Sequence, residues 1–558
     1  MGAIHYYEKE RVFKLDTPHT SYLIGIVDEE KFLGHIYYGA KITDYDVRAL
    51  MRTGEAPFVP SQNNRDRSSF LDAFPMEYPG HGVGDYRESA ISVSDKNGNT
   101  AVQPLYREHK IYAGKPGLPG LPATFGSEEE CETLEIVLAD EVLDLTVTLY
   151  YTAFYDVDVI TRSVRVMNHA KEPVYLTKVF SAALDLDAED YRMLTLHGSW
   201  ARERQIEYRQ IGYGKQSVGS CRGESSHQEH PFVALVSANA GQEQGRVYGF
   251  HFVYSGNFLA QVEKNQFDSL RVVMGIHPQD FKWELKQGET FTAPEVVLTY
   301  SDAGLGGMTR TLHDLYRKHL IRSPYKDRER PVLINNWEAT YFDFDTEKLL
   351  AIAREAKKSG IEMLVMDDGW FGHRNDDNTS LGDWQVNEQK ITGGLKRLVD
   401  QVNEIGLEFG IWFEPEMISP DSDLYRTHPD WAIALPGRTP CRSRNQYVLD
   451  LSRKEVRDYA YECVASILRS ANIAYVKWDM NRQLTDLGSS ALPVENQGEL
   501  LHRYVLGVYE LQERLITGFP ELLLENCSGG GARFDPGMLY YSPQIWCSDD
   551  MDAIERLK

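Results

Sequence analysis

The chain has 558 residues, of which 42% are hydrophobic and 25% charged. That is an ordinary globular balance, and the length allows roughly two to four domains. A formal net charge of −24 and a pI near 5.2 exclude nucleic acid as a partner, since phosphate binding needs clustered Lys and Arg.

No run of 18 apolar residues occurs, so no membrane-spanning helix is expected. The opening MGAIHYYEKERVFKL lacks a basic stretch followed by an apolar one, so no secretory signal is expected there. Cys131, Cys221, Cys441, Cys463, Cys527 and Cys547 are scattered without a CxxC pair. This predicts neither a disulfide framework nor a zinc site, and points to reduced thiols in a cytoplasmic protein.

Residues 1–325 read as antiparallel β structure. Short alternating apolar runs recur at 134–170, 246–263 and 294–302, with turn chemistry in DKNGN (95–99) and AGKPGLPGLP (113–122). This pattern predicts a large N-terminal β-sandwich. A helix is expected over 304–322.

From 326 to 558 the rhythm changes. Apolar strands at 332–337, 361–370, 407–416, 473–481, 521–529 and 540–550 alternate with amphipathic helices at 346–360, 394–406, 454–471 and 499–519. Regular βα alternation predicts a (β/α)-barrel catalytic region, of which six units are recognised where a closed barrel has eight. The expectation is therefore a barrel cut short after about six βα units.

Barrel active sites form where strands end, and here the strand ends carry acids, amides and tryptophans. They supply Asn335, Asn336 and Trp337; Asp367, Asp368 and Trp370; Trp412, Glu414 and Glu416; Lys477, Asp479, Asn481 and Arg482; Asn526, Cys527 and Ser528; and Trp546, Asp549 and Asp550. Glycoside cleavage needs two carboxyl groups, one ionised and one protonated. Asp479 lies between Lys477 and Arg482, cations that favour an ionised nucleophile; the alternative is a strand-end salt bridge. Asp549 neighbours Asp550 and follows Trp546, surroundings that favour a protonated acid. The alternative is a helix cap, because SDDMDAIERL also resembles a helix start. On the residues alone, Asp549, Asp550 and Asp552 stay equivalent. Asp367 and Asp368 suit sugar hydroxyls, with a metal site as the alternative. Trp337, Trp370 and Trp412 suit a sugar face, with barrel packing as theirs.

Together INNWEATYFDF (334–344), MDDGWFGHRNDD (366–377), GIWFEPEMISPDSDLY (410–425), RNQYVLDLS (444–452), YVKWDMNR (475–482), ENCSGGGARFD (525–535) and WCSDDMDAIERL (546–557) resemble the α-galactosidases of glycoside hydrolase family 36. FPMEYPGHGVGDYRESAI (74–91) extends the likeness upstream. The resemblance implies an N-terminal β-supersandwich followed by a (β/α)8 barrel of the TIM type. It implies Asp479 as nucleophile and Asp549 as acid/base, which separates Asp549 from its neighbours. Asp367, Asp368, Trp412, Arg444, Lys477, Asn481, Cys527 and Gly529 are implied to hold the sugar, with Trp337 beside the same pocket. The implied reaction releases α-1,6-linked galactose from melibiose- and raffinose-type oligosaccharides with retention, without metal or cofactor. A homotetramer is also implied, with residues 60–88 as candidates for reaching a neighbour's pocket. Cys547 and Met551 depart from the family pattern and should adjust the pocket wall. Family members continue through the last barrel strands and a C-terminal β domain, so part of the barrel is expected to be absent. An α-N-acetylgalactosaminidase, a raffinose-synthase-like transferase, a non-catalytic carbohydrate-binding protein and a metal-dependent barrel isomerase are the competing readings.

Overall fold

The computed structural model describes residues 2–27, 31–43, 50 and 71–557. Of the segment expected to reach a neighbouring subunit, residues 60–70 lie outside the described residues.

As the alternating pattern predicts, the first half of the chain is antiparallel. A four-stranded meander (Ile4–Tyr7, Val12–Asp16, Thr20–Val27, Phe32–Ala40) precedes two larger sheets of ten and six strands. In the ten-stranded sheet Leu134 pairs with Tyr151, Ile136 with Leu149, and Leu149 with Val164. All five are buried, so a one-residue slip would turn this apolar set out of the core. Buried charge pairs lie within this β region. Asp185 takes Arg271 Nε and Nη2, each at 2.7 Å, and Arg162 lies 3.0 Å from Glu77. Removing one partner of such a pair strands a buried charge, at about 3–5 kcal/mol.

The helix Gly304–His319 follows, and then a six-stranded parallel sheet. Its strands, in chain and spatial order, are β1 (Leu333–Asn335), β2 (Met363–Met366), β3 (Glu408–Phe413), β4 (Tyr475–Trp478), β5 (Leu523–Asn526) and β6 (Gln544–Ile545). Four long helices connect them: α1 (Thr346–Lys358), α2 (Leu395–Ile405), α3 (Lys454–Ser470) and α4 (Leu500–Gly518). The ends obey local chemistry. Asp345 caps α1 by accepting the Lys348 N–H, and Gly406 closes α2 at φ 91°. Among the described residues β1 pairs only with β2, and β6 only with β5.

The two halves share one apolar core. Helix α4 joins it to the β region through His502 Nδ1, 2.8 Å from Tyr254 OH, and through Tyr509 OH, which accepts the Ser255 N–H at 2.8 Å. The helix start that was the alternative reading at Asp549 does not form: residues 548–557 contain no α-helix, only a short 3-10 turn at Glu555–Leu557.

Candidate active site

The C-terminal ends of the parallel strands open onto a cleft of about 590 Å³. Ten of the eleven residues given a catalytic or sugar-holding role above line it: Trp337, Asp367, Asp368, Trp412, Arg444, Lys477, Asp479, Asn481, Cys527 and Asp549. Gly529 stands behind the wall. It takes φ 49°, and its N–H reaches Asn481 Oδ1 at 3.2 Å.

Asp479 sits one residue past β4. Trp412 Nε1, from the end of β3, donates to its Oδ2 at 3.0 Å, and the Met480 N–H donates to Oδ1 at 2.9 Å. Burial works against its charge. The Lys477 ammonium and hydrogen bonds from Trp412, Asn481 and Cys527 outweigh burial and hold the carboxyl below the usual aspartate range. Cys527 can donate because burial, then the Asp479 charge, push its thiol well above the ordinary value. Burial likewise opposes the charge on Lys477, but Asp367 and Asp479 more than restore it. Its Nζ lies 3.1 Å from Asp367 Oδ2, which Asn335 also contacts.

Asp368 is engaged by Arg374 Nε at 2.9 Å and Nη2 at 2.8 Å. Burial still raises its carboxyl. Arg444 reaches the cleft from a turn in which it and Asn445 have φ 50° and 60°. Two successive left-handed non-glycine residues are strained backbone, a feature that clusters at functional sites.

The two strand-end glutamates differ. Glu416 is an internal ion-pair partner, held by Arg533 at 2.7 and 3.1 Å, Trp478 at 2.8 Å and Tyr504 at 2.6 Å. Glu414 feels the Asp479 charge and accepts the Asn481 N–H and Gln446 Nε2, both at 2.6 Å. Burial, then the Asp479 charge, push it up to about 7.

Among the three candidate acids, hydrogen bonding separates the roles. Asp552 Oδ1 accepts the Ile554 N–H at 2.8 Å and the Glu555 N–H at 3.1 Å, so it caps the terminal turn. Asp550 Oδ1 accepts the Asp552 N–H at 3.0 Å. Asp549 caps nothing. Its oxygens face the cleft between two indoles, Trp546 Nε1 at 3.0 Å and Trp200 Nε1 at 2.9 Å.

With this geometry in hand, the comparisons with known proteins are specific. A family model described as Melibiase matches residues 290–558, and one described as Glycosyl hydrolase family 36 N-terminal domain matches residues 31–286. Alpha-galactosidase AgaA of Geobacillus stearothermophilus is 52% identical over 558 residues, covering 100% of this chain and 76% of that protein. The chain belongs to glycoside hydrolase family 36.

Solved members of family 36 match the coordinates equally well. The GH36 alpha-galactosidase AgaB from Geobacillus stearothermophilus has a TM-score of 0.97 at 52% identity, covering 100% of this chain and 76% of that one. A doubly substituted AgaA in complex with raffinose has a TM-score of 0.96 at 51% identity, covering 98% and 76%.

Within this family 36 chain the strand-end reading missed Trp200. It occupies the two-residue connection between strands Tyr191–Ser199 and Arg202–Gln210 of the β region, beside Ala201 at φ 60°. Nothing in its local sequence signals a partner 349 residues away. A lone tryptophan at a hairpin tip, 62% exposed, was the one available clue. Trp370 was misread in the opposite sense. It is fully buried, donates to the Trp412 carbonyl at 2.9 Å and packs against Phe371, Trp384 and Phe413, so it is a core residue and not a sugar platform. Met551 lines the cleft as its departure from the family pattern implies, whereas Cys547 accepts from Arg556 at 3.0 Å outside it.

Proposed function

We propose that this protein is a retaining α-galactosidase acting on terminal α-1,6-linked galactose of raffinose- and melibiose-type oligosaccharides. Asp479 attacks the anomeric carbon while Asp549 protonates the departing glycosidic oxygen. Asp549 then takes a proton from water, whose oxygen displaces Asp479 from the same carbon. Two inversions give net retention.

The observation that carries this reading is the contrast between two carboxyl groups on one cleft. Asp479 is enclosed and kept anionic by Lys477, Trp412, Asn481 and Cys527, as a nucleophile requires. Asp549 stands at the mouth on indole donors. Sugar contacts are assigned to Asp367, Asp368, Trp412, Arg444, Lys477, Asn481 and Cys527, with Trp337 on the same cleft and Gly529, behind its wall, holding Asn481. Carboxylate and amide groups match vicinal hydroxyls, and the indoles supply apolar faces. The raffinose bound to the AgaA relative favours this substrate class.

The parallel sheet is read as the first six strands of a (β/α)8 barrel, with residues 1–325 as the β-supersandwich and 326–558 as the barrel. The consecutive spatial order of β1 to β6 supports it. Six free thiols suit a reducing compartment, the ground for proposing a cytoplasmic location. A homotetramer is proposed from the family resemblance.

Hydrolysis of p-nitrophenyl α-galactoside, followed by NMR of the first-formed sugar, tests the reaction. Release of the α-anomer is expected from the wild-type chain. Release of β-galactose, or no hydrolysis of any α-galactoside, overturns the proposal.

A further inference from the structure

A buried carboxyl group that the two-step hydrolysis does not use lies between the nucleophile loop and the Cys527–Gly531 turn. Glu224 belongs to the loop between strands Gly214–Ser220 and Glu229–Ser237 of the β region and is 1% exposed. The Leu484 N–H, from the segment past β4, donates to the Arg222 carbonyl of that loop at 2.9 Å, and within the β region the Gly223 N–H donates to Asn257 Oδ1 at 2.6 Å. Glu224 Oε1 accepts from Gln483 Nε2 at 3.2 Å, and Oε2 lies 2.7 Å from Ser528 Oγ.

The same Ser528 Oγ lies 2.8 Å from the carbonyl oxygen of Met480, the residue after the nucleophile. A serine hydroxyl carries one proton, and a carbonyl oxygen can only accept. With Glu224 ionised, one of these two contacts would set two acceptor oxygens against each other at hydrogen-bonding distance. With a proton on Glu224 Oε2 both contacts become hydrogen bonds, running from Glu224 to Ser528 and from Ser528 to the Met480 carbonyl. We infer that Glu224 is a positioning residue: as a neutral carboxylic acid it ties the Cys527–Gly529 turn to the main chain that follows the nucleophile.

The surroundings agree. Facing Glu224 are Gln483 and Ser528 from the barrel, His227 from its own loop, and Arg533, which is already engaged by Glu416. Burial raises the Glu224 carboxyl, and Arg533, Ser528, His227 and Gln483 do not cancel it. His227 Nε2 adds a second tie, donating to the Gly529 carbonyl at 2.6 Å. What is held in place is functional. Cys527 donates to Asp479, and the Gly529 N–H meets Asn481, which also donates to Asp479.

The inference rests on the hydrolase reading of the cleft, so its test has one arm that needs no turnover. Infrared difference spectra of the wild type and Glu224→Gln at neutral pH should show a protonated-carboxyl C=O band that the variant lacks. In kinetics with p-nitrophenyl α-galactoside, Glu224→Gln should stay within about threefold of wild type and hold activity further into alkaline pH. Its amide still donates to Ser528 and accepts from Gln483. Glu224→Ala and Ser528→Ala should each raise KM about tenfold with a smaller change in kcat, and the double variant should be no worse than either, as for one shared link. Absence of the infrared band, or a Gln variant as impaired as the Ala variant, overturns the inference. If Glu224→Ala does not fold, the Gln variant and the spectra still decide. A wild type without hydrolytic activity would defeat the functional reading and leave the infrared result standing.

Discussion

Around Asp479 every identified donor comes from the parallel sheet and the segments that follow its strands: Trp412 in β3, Lys477 in β4, Asn481 beyond it and Cys527 after β5. Around Asp549 one of two indole donors comes from the antiparallel half of the chain. The first carboxyl is buried and charge-compensated, while the second meets a tryptophan that is 62% exposed. The difference fits the roles proposed for the two: a nucleophile that stays ionised needs a fixed cation and fixed donors.

The largest effect should come from removing the nucleophile. Asp479→Asn should lower kcat/KM by at least about 10⁴-fold on any α-galactoside. A near-normal rate would dissolve the distinction between the two carboxyls.

Asp549→Asn should cost about 10²–10⁴-fold on raffinose and less on p-nitrophenyl α-galactoside, whose leaving group departs without a proton. Equal losses on both substrates would count against Asp549 as the acid. Azide rescue of Asp549→Gly with the aryl substrate would support it.

Trp200→Phe should lower kcat/KM by roughly 10–100-fold, the worth of one hydrogen bond to a charged group. The melting temperature should hold, because so exposed a ring contributes little packing. A drop in Tm matching the loss of activity would make Trp200 merely structural.

The smallest change concerns pH. Asp479 must be ionised to attack, and its carboxyl is held below the usual range, against the pull of burial, chiefly by Lys477. Activity should therefore persist below the ordinary aspartate range and fall as Asp479 takes up a proton. Lys477→Met should move that acid limb to higher pH in a kcat/KM profile. An unmoved limb would mean that Trp412, Asn481 and Cys527 suffice.

Much of the strand-end site was legible because the chain declares it locally. β4 runs out into KWDMNR, so the cation lies two residues before the acid, and both reach one mouth. The three-way tie among Asp549, Asp550 and Asp552 was not a local question, since all three fit a helix start. In the folded chain Asp552 bonds the N–H groups of Ile554 and Glu555, and Asp550 that of Asp552, while Asp549 turns to the cleft. Trp370 and Trp412 look equivalent at strand ends, yet Trp370 is sealed beneath Trp412 by packing against Phe371, Trp384 and Phe413. Likewise, Glu414 and Glu416 are two residues apart, and only the position of Arg533 makes one an ion-pair partner.

By itself, then, the sequence determined the strand and helix order and the residues standing at the strand mouths, because side-chain periodicity and strand termini are properties of short segments. Tertiary structure alone decided what those residues do to one another. Trp200 meets Asp549 across 349 residues and Glu224 meets Ser528 across 304. Such contacts form only when the antiparallel sheets and the parallel sheet pack together, and no local pattern encodes which side chains then touch.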